Sequence, residues 1–240
     1  MAKYKQAKHK HRNPNSAGLE LVSIEPLTDN QVIAFDSESN LILHGAAGTG
    51  KTFISCYLAY SDIAEGFYDK LVIIRSAVPS RDMGFLPGSE KEKAAVYEEP
   101  YKDIAIELFG RGDSYEILKN KNTVHFMTTS FIRGITIKDC VLIVDECQNM
   151  TFQELDSIIT RVGENCRVIF CGDFKQADLR DNGIAKFFHI LKLTGDFDFV
   201  DFQIDDIVRS GLVRRYLTSK YEEEIREQEL KTEYSGEVYD

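Results

Sequence analysis

A glycine-rich stretch followed by lysine and threonine is the first part of the sequence that could do chemistry. It occupies positions 45–52, reads GAAGTGKT and fits the pattern G-x-x-x-x-G-K-[S/T]. An apolar run precedes it and a helix-like stretch follows it, which is the context that a phosphate-binding loop requires. Such a loop turns backbone N–H groups and a helix N-terminus toward phosphate oxygens. The predicted phosphate-binding residues are Gly45, Ala46, Ala47, Gly48, Thr49, Gly50, Lys51 and Thr52.

The last two residues of this loop have distinct expected roles. The ammonium group of Lys51 is expected to reach the β- and γ-phosphates of ATP, and the hydroxyl of Thr52 is expected to bind Mg²⁺. A glycine-rich turn that binds no nucleotide is the alternative, and the strand and helix on either side argue against it. The sequence therefore predicts ATP and Mg²⁺ as cofactors.

Two adjacent carboxylates form the second chemical feature. The stretch VLIVDECQNM, at 141–150, is an apolar strand that ends in Asp145 and Glu146. Ligands of open α/β sheets bind at the carboxyl ends of the strands. Asp145 is predicted to hold the Mg²⁺ shell, and Glu146 to orient or deprotonate the attacking water. The presence of both acids favours hydrolysis over transfer to a small acceptor.

A third strand end carries an uncharged polar group. The stretch VIFCGDFKQADL, at 168–179, ends a strand in Gly172 and Asp173, with Gln176 three residues later. A glutamine amide can contact the γ-phosphate without carrying charge. Gln176 is therefore a candidate sensor of ATP against ADP, with an ordinary turn as the alternative.

The rest of the chain alternates apolar strand-like runs with helix-like stretches. This alternation predicts a single α/β core in which helices cover both faces of a mostly parallel sheet. The segment 76–97 contains two prolines and two glycines and is predicted to be a long loop that is functional or mobile. The predicted strands are 40–44, 70–75, 123–127, 139–144, 166–171 and 197–202; the predicted helices are 27–37, 51–65, 97–110, 129–133, 151–161, 182–193 and 210–231.

Charge divides the chain into three parts. Residues 1–18 carry five basic side chains and no acid, and are predicted to be a disordered basic arm. Residues 19–220 form the predicted core, and residues 221–240, with eight acids against two bases, an acidic helix or tail. The net charge of −10 excludes a uniformly basic nucleic-acid coat, so any polyanion must be held by a local patch or by the arm.

The sequence also bears on the compartment. No apolar run approaches the roughly 20 residues of a membrane helix, and the N-terminus does not resemble a secretory signal. The chain has five cysteines, which form no C-x-x-C pair and suit reduced thiols better than disulfides or zinc. The expected location is a cytoplasm, without membrane contact.

The stretches GAAGTGKT, VDECQNM and GDFKQADL together resemble the core of superfamily 1 helicases, and more narrowly the PhoH-like proteins, a family of phosphate-starvation-inducible ATPases. Three further stretches fit the PhoH pattern: RSAVPSRDMGFLPGSEKEK, TTSFIRGIT and DIVRSGLVRRYL. The resemblance spans about residues 25–220. It implies a RecA-like P-loop ATPase domain with an RNA-related role in a bacterial or phage-infected cytoplasm. Cys147, where the family has alanine, is compatible with a bacteriophage member.

The resemblance also assigns two residues outside the phosphate loop. Gln31 occupies the position at which helicase-like proteins recognise adenine, although a glutamine on a helix often only faces solvent. Arg209 matches an arginine of the family and is a candidate arginine finger, with an ordinary surface arginine as the alternative. A finger of this kind stabilises the charge of the transferring phosphoryl group.

Superfamily 1 helicases place ATP between two tandem RecA-like domains, whereas the 240 residues hold one predicted core. We therefore expect a homo-oligomer, with a hexameric ring as the favoured form, in which a neighbour completes each ATP site. Basic and hydroxyl side chains after the second and third strands suit phosphate contacts with a single-stranded nucleic acid, RNA being favoured. They are Arg75, Arg81, Thr128, Ser130 and Arg133.

Three functions remain open. The first is a Mg²⁺-dependent ATPase whose turnover is coupled to binding, remodelling or unwinding of single-stranded nucleic acid. The second is an oligomeric regulator that ATP switches with little turnover, an interpretation supported by the low net basicity and the single core. The third, a small-molecule kinase, is disfavoured by the paired carboxylates and by the lack of an evident lid segment.

Overall fold

Six strands form one sheet in which every neighbouring pair is parallel, in the order β3-β2-β4-β5-β1-β6. The computed structural model describes residues 18–76, 90–132, 134–173 and 183–236. The strands are β1 (Asn40–Gly45), β2 (Lys70–Arg75), β3 (Val124–Thr128), β4 (Cys140–Asp145), β5 (Cys166–Gly172) and β6 (Phe197–Phe202). The sheet order places β5 between β1, which leads into the glycine-rich loop, and β4, which ends in Asp145.

Seven α-helices lie within the described residues. None of them has the length and apolarity needed to cross a membrane. They are α1 (Asp29–Asp36), α2 (Lys51–Ala64), α3 (Glu90–Phe109), α4 (Ser114–Asn120), α5 (Phe152–Ile159), α6 (Ile184–Thr194) and α7 (Gly211–Gly236). Short 3₁₀ turns occupy Thr129–Phe131, Cys147–Asn149 and Ile204–Asp206.

Two hydrophobic clusters cover the two faces of the sheet. Along β1, Leu41 and Leu43 belong to one cluster and Ile42 belongs to the other. The same alternation holds in β4, where Val141 and Ile143 face one side while Leu142 and Val144 face the other. Because neighbouring residues of a strand point to opposite faces and both faces are covered, these strands are continuously apolar.

The structure confirms the predicted fold class and all six strands, each within one residue of its predicted ends. The predictions for the helices differ from the structure in three places. Helix α3 begins at Glu90, inside the segment predicted as a loop, and α4 was not predicted at all. The predicted helix at 129–133 is a single 3₁₀ turn. Of the predicted basic arm, residues 1–17 lie outside the described residues, and α7 runs from the core into the predicted acidic tail as far as Gly236.

One buried arginine connects β5 with α2 and with the segment before β1. Arg167 of β5 is only 5% exposed and donates to the Asp62 carboxylate of α2 at 2.8 Å. It also donates to the carbonyl oxygens of Ser37 and Ser39, in the segment between α1 and β1, at 2.6 and 3.0 Å. A guanidinium can serve these acceptors together because it carries five N–H donors in a fixed plane. Arg167 thus holds α2 and the start of β1 against β5.

We predict that Arg167→Met lowers the free energy of unfolding by about 3–5 kcal/mol, because it leaves the Asp62 charge buried and unpaired. Urea denaturation of the two proteins measures this difference. The matched control is Arg161→Met at an exposed arginine, which should change stability by no more than about 0.5 kcal/mol. Equal stability of the Arg167 variant and the parent would show that the contacts of Arg167 do not stabilise the fold.

Candidate active site

The glycine-rich loop curls between the end of β1 and the start of α2. Gly45, Gly48 and Gly50 have φ angles of 118°, 80° and 88°, in a region that side-chain-bearing residues rarely adopt. At Gly45 a Cβ atom would lie 2.0 Å from the carbonyl oxygen of Phe202 in β6. Only glycine therefore fits where the loop leaves the sheet.

Three segments from other parts of the chain hold the loop in this shape. The Ala46 N–H donates to the Phe202 carbonyl at 3.1 Å, so the loop continues the pairing of β1 with β6. The Gly48 carbonyl accepts from the N–H of Val208 at 3.1 Å. The Thr49 carbonyl accepts from the Gln31 side chain at 3.1 Å. The loop conformation is thus fixed by contacts as well as by its glycines.

Gln31 lies beside the phosphate loop, as the adenine assignment requires. Its side chain is 5% exposed, and its Oε1 accepts from the Leu27 N–H at 2.8 Å. With Nε2 bonded to Thr49, the amide retains one N–H and one lone pair. The structure therefore gives Gln31 a part in bracing the loop, and recognition of adenine stays a prediction.

The Lys51 ammonium lies within the curve of the loop. Its Nζ donates to the carbonyl oxygens of Gly45 and Ala46 at 2.8 and 2.7 Å. Burial lowers the pKa of Lys51, and the negative charges of Asp173, Glu146 and Asp145 oppose that shift. The ammonium group thus lies between the backbone of the loop and the acids at the ends of β4 and β5.

Asp145 is the most deeply buried acid of the site, at 3% exposure. The Thr52 hydroxyl, in the first turn of α2, donates to its two oxygens at 3.1 and 3.3 Å. The hydroxyl of Tyr101, from α3, donates to Oδ2 at 2.7 Å. Burial and the nearby Glu146 raise the pKa of Asp145, while the two hydroxyls and Arg75 hold it down. Three neighbours thus offset part of the cost of burying this charge.

The residues predicted to bind magnesium lie in contact with each other. Mg²⁺ prefers hard oxygen ligands and is usually held by one or two carboxylates together with phosphate oxygens and water. The Thr52 hydroxyl and the Asp145 carboxylate supply oxygen donors of this kind beside the phosphate loop. Their chemistry and position fit a magnesium ion bound with a nucleotide.

Glu146 follows directly and has an unusual backbone. Its φ of 54° and ψ of 43° lie in the left-handed region, where non-glycine residues are uncommon and often functional. Gln148 donates through Nε2 to the Glu146 carboxylate and accepts through Oε1 from the Asp173 N–H at 3.1 Å. One amide side chain thus links the acids at the ends of β4 and β5.

Tyr101 and Gln148 were not among the predicted site residues. Tyr101 is 44 residues from Asp145 along the chain, and nothing in its local sequence marks it. Gln148 lies in the stretch VDECQNM, two residues after Glu146. A polar side chain so close to the predicted base could have indicated a partner for its carboxylate. Three predicted residues, Arg81, Arg133 and Gln176, lie outside the described residues.

The predicted nucleic-acid contacts at the ends of β2 and β3 differ in accessibility. Arg75 is partly exposed, pairs in register with Asp145, and lies 5.8 Å from the ring centre of Tyr97. Ser130 is exposed, but Thr128 is only 4% exposed. Thr128 therefore offers little surface, and its contact with nucleic acid stays a prediction. Phe131, half exposed beside Ser130, is an aromatic side chain that was not among the predicted nucleic-acid contacts.

Arg209 lies next to the phosphate loop of its own chain. A Cβ atom built on Gly48 would lie 3.0 Å from its Cγ and 3.0 Å from Leu217 of α7. The arginine is exposed, so its guanidinium is accessible from solvent. The stem of this side chain therefore lies beside the loop that is predicted to bind the phosphates. The catalytic role itself stays a prediction.

A parallel sheet, a glycine-rich loop between β1 and α2, and a buried acid at the end of β4 define a P-loop nucleoside triphosphatase fold. The family model described as "PhoH-like protein" matches residues 23–222. The chain therefore belongs to the PhoH-like family, as the motifs indicated.

Curated relatives agree with this assignment. The PhoH-like protein of Bacillus subtilis is 29% identical over 201 residues, which cover 82% of this chain and 63% of that protein. Protein PhoH of Escherichia coli K12 is 32% identical over 189 residues, which cover 77% of this chain and 53% of that protein. The chain thus spans between about half and 63% of the length of these relatives.

Solved structures with a similar outline are more distant. The large terminase of a thermophilic bacteriophage, solved in complex with ADP, is 14% identical, with a TM-score of 0.46 over 80% of this chain and 49% of that one. The UvsW helicase of bacteriophage T4 is 20% identical, with a TM-score of 0.48 over 77% of this chain and 64% of that one. The family assignment does not depend on either likeness.

We predict that Tyr101→Phe raises the Mg²⁺ concentration needed for half-maximal ATP turnover by about tenfold to a hundredfold, because partners that orient a metal-binding carboxylate have effects of this size. A magnesium titration of ATP turnover measures the shift. The matched control is Tyr115→Phe, which removes a buried hydroxyl that donates to Glu98 instead. An equal shift in both variants, or none in either, would contradict a positioning role for Tyr101.

Proposed function

We propose that the chain is a Mg²⁺-dependent ATPase whose turnover is coupled to binding or remodelling of single-stranded nucleic acid, with RNA as the favoured substrate. The observation that carries this proposal is the contact of Thr52 with Asp145 beside the phosphate loop, with Glu146 next in sequence. Membership of the PhoH-like family supports a nucleotide-dependent role.

The proposed hydrolysis assigns a task to each group. Backbone N–H groups of residues 45–52 and the Lys51 ammonium bind the phosphates, while Thr52 and Asp145 hold the magnesium ion. Glu146 accepts the proton of the attacking water, and the Gln148 amide keeps its carboxylate oriented. Gln176 would contact the γ-phosphate, and the Arg209 guanidinium would stabilise the transferring group.

The carboxyl ends of β2 and β3 suit the nucleic acid. Arg75 and Ser130 are accessible there, and Phe131 offers an aromatic face on which a base could stack. Arg75 also pairs in register with Asp145, and its positive charge lowers the pKa of that carboxyl group. A phosphate group bound at Arg75 would therefore act on the ATP site through one side chain. Arg81 and Arg133 extend the proposed contacts.

A homo-oligomer, with a hexamer favoured, is the proposed working form. The described residues form one sheet, so a second wall for the ATP site would come from a neighbouring copy. The first two turns of α7 expose three apolar side chains, those of Leu212, Val213 and Tyr216. Leu217 of the same helix lies beside the phosphate loop. This position suits an interface that nucleotide binding can influence.

The second candidate function is an oligomeric regulator that ATP switches with little turnover. The same contacts between the phosphate loop and the 202–217 segment favour it, because they link nucleotide binding to an exposed apolar surface. Slow ATP hydrolysis whose rate does not change when nucleic acid is added would identify this function.

We predict steady-state ATP hydrolysis by the full chain with Mg²⁺, stimulated by single-stranded RNA more than by single-stranded DNA. Thin-layer chromatography of labelled ATP distinguishes release of phosphate from transfer to an acceptor. Lys51→Ala should abolish turnover and weaken nucleotide binding, because it removes the charge that faces the phosphates.

Variants at the proposed base sharpen this test. Glu146→Gln should keep ATP binding but lower turnover by about a hundredfold or more, the size typical of a lost general base. Glu107→Gln removes an exposed acid on α3 and should leave turnover unchanged. Normal turnover in Glu146→Gln would eliminate Glu146 as the base, and turnover in Lys51→Ala equal to the parent would overturn the proposed ATP site.

Native mass spectrometry tests the oligomer. We predict a homo-oligomer whose population rises when ATP and Mg²⁺ are added, because the nucleotide lies beside the proposed interface. Leu212→Glu places a charge at a position that is 72% exposed in one chain and should shift the distribution toward monomer. A chain that stays monomeric with and without nucleotide would exclude composite sites.

A further inference from the structure

Two cysteines lie side by side at the N-terminal ends of the two central strands, and the candidate active site lies at the opposite ends of these strands. Cys140 is the first residue of β4 and Cys166 is the first residue of β5. The two residues pair directly in the parallel register, and their Sγ atoms are 3.8 Å apart. Residues paired in this way point to the same face of a sheet.

The backbone already has the spacing of a disulfide. Neighbouring strands lie about 4.7–4.9 Å apart, within the Cα separation of about 4.4–6.8 Å that disulfides show. The sulfur atoms must close from 3.8 Å to a bond of about 2.05 Å. Rotation of the two side chains can supply this movement, so the strands need not separate.

The two thiols differ in exposure and acidity. Cys140 is fully buried, whereas Cys166 is partly exposed. The hydrogen bond that the two thiols share lowers the pKa of Cys166 to about 7. The same contact, together with burial, raises the pKa of Cys140. The accessible sulfur is therefore the one that forms a thiolate near neutral pH, and thiolates are the reactive form.

The other three cysteines provide a contrast within the same chain. Cys56, Cys147 and Cys171 are buried, and burial raises the pKa of each thiol. Such thiols are inert toward oxidants. No cluster of three or more candidate metal ligands includes the Cys140–Cys166 pair within the described ranges, so a structural zinc ion is not indicated.

We propose that Cys140 and Cys166 form an oxidation site, a dithiol that hydrogen peroxide converts to an intrachain disulfide. The Cys166 thiolate attacks one peroxide oxygen, an S–O bond forms, the O–O bond breaks, and the released hydroxide takes a proton to become water. The Cys140 sulfur then attacks the Cys166 sulfenic acid, an S–S bond forms, and the departing hydroxide leaves as water with the Cys140 proton. Two thiols and one peroxide yield one disulfide and two waters.

This site is independent of the proposed ATPase. Strand β4 runs for six residues from Cys140 to Asp145, and at about 3.3 Å per residue the two ends are about 16 Å apart. Oxidation would therefore link the starts of the two strands whose far ends carry Asp145 and Asp173, without touching those acids.

The experiment uses the full chain, reduced with dithiothreitol, desalted and exposed to hydrogen peroxide at neutral pH. After peroxide removal and denaturation, the free thiols are alkylated and the protein is mapped by mass spectrometry. We expect two of the five thiols to become unreactive, one cross-linked peptide joining Cys140 to Cys166, and full recovery with dithiothreitol. Five alkylated thiols, oxidised Cys166 without a cross-link, or a cross-link between two chains would overturn the proposal.

Single variants separate the two steps. Cys140→Ser should stop at the sulfenic acid of Cys166, which dimedone traps, and Cys166→Ser should leave the remaining four thiols reduced. Cys56→Ser is the matched control at a buried, inert thiol and should form the cross-link as the parent does. Cross-linking of Cys140 to another cysteine in Cys166→Ser would exclude the proposed pairing.

Discussion

The candidate site depends on keeping the Asp145 carboxylate charged inside the protein. Burial of an ion costs several kcal/mol unless hydrogen bonds and opposite charges compensate for the lost water. Here the compensation comes from three different elements: the Thr52 hydroxyl of α2, the Tyr101 hydroxyl of α3 and the charge of Arg75 in β2. Each of the three partners lowers the cost of burying this acid, so the site depends on the packing of α2, α3 and β2 around the end of β4.

The phosphate loop depends on a similar long-range arrangement. Its glycines permit the curl, but they do not by themselves choose one conformation, since glycine loses more backbone freedom on folding than other residues. The choice is made by Phe202 and Val208, which hydrogen-bond the loop from the end of β6 and the segment after it. A loop of eight consecutive residues is therefore stabilised by residues more than 150 positions away.

The difference between local sequence signals and long-range contacts explains which features the sequence could predict. The strands were found because residues such as Leu41, Ile73 and Val144 form short apolar runs, a signal that is local. The phosphate loop and Asp145–Glu146 were found because their chemistry requires fixed neighbours in sequence. Tyr101 could not be found in this way, since its role exists only through the packing of α3 on the end of β4.

The errors have the same origin. Helix α4 has only seven residues and two buried apolar side chains, Tyr115 and Leu118, so its hydrophobic periodicity is too short to predict it. The prolines and glycines of 76–89 predict a loop that includes the start of α3, whereas the residues from Glu90 onward are mostly good helix formers. A position at a strand end, such as that of Thr128, does not by itself predict how exposed a side chain is.

Gln148 shows how the ends of two strands can act as one unit. Its amide has one donor side and one acceptor side, and donation to Glu146 leaves Oε1 facing the Asp173 N–H. Rotating the amide would break both bonds at once, so the orientation of the Glu146 carboxylate and the position of the end of β5 are linked.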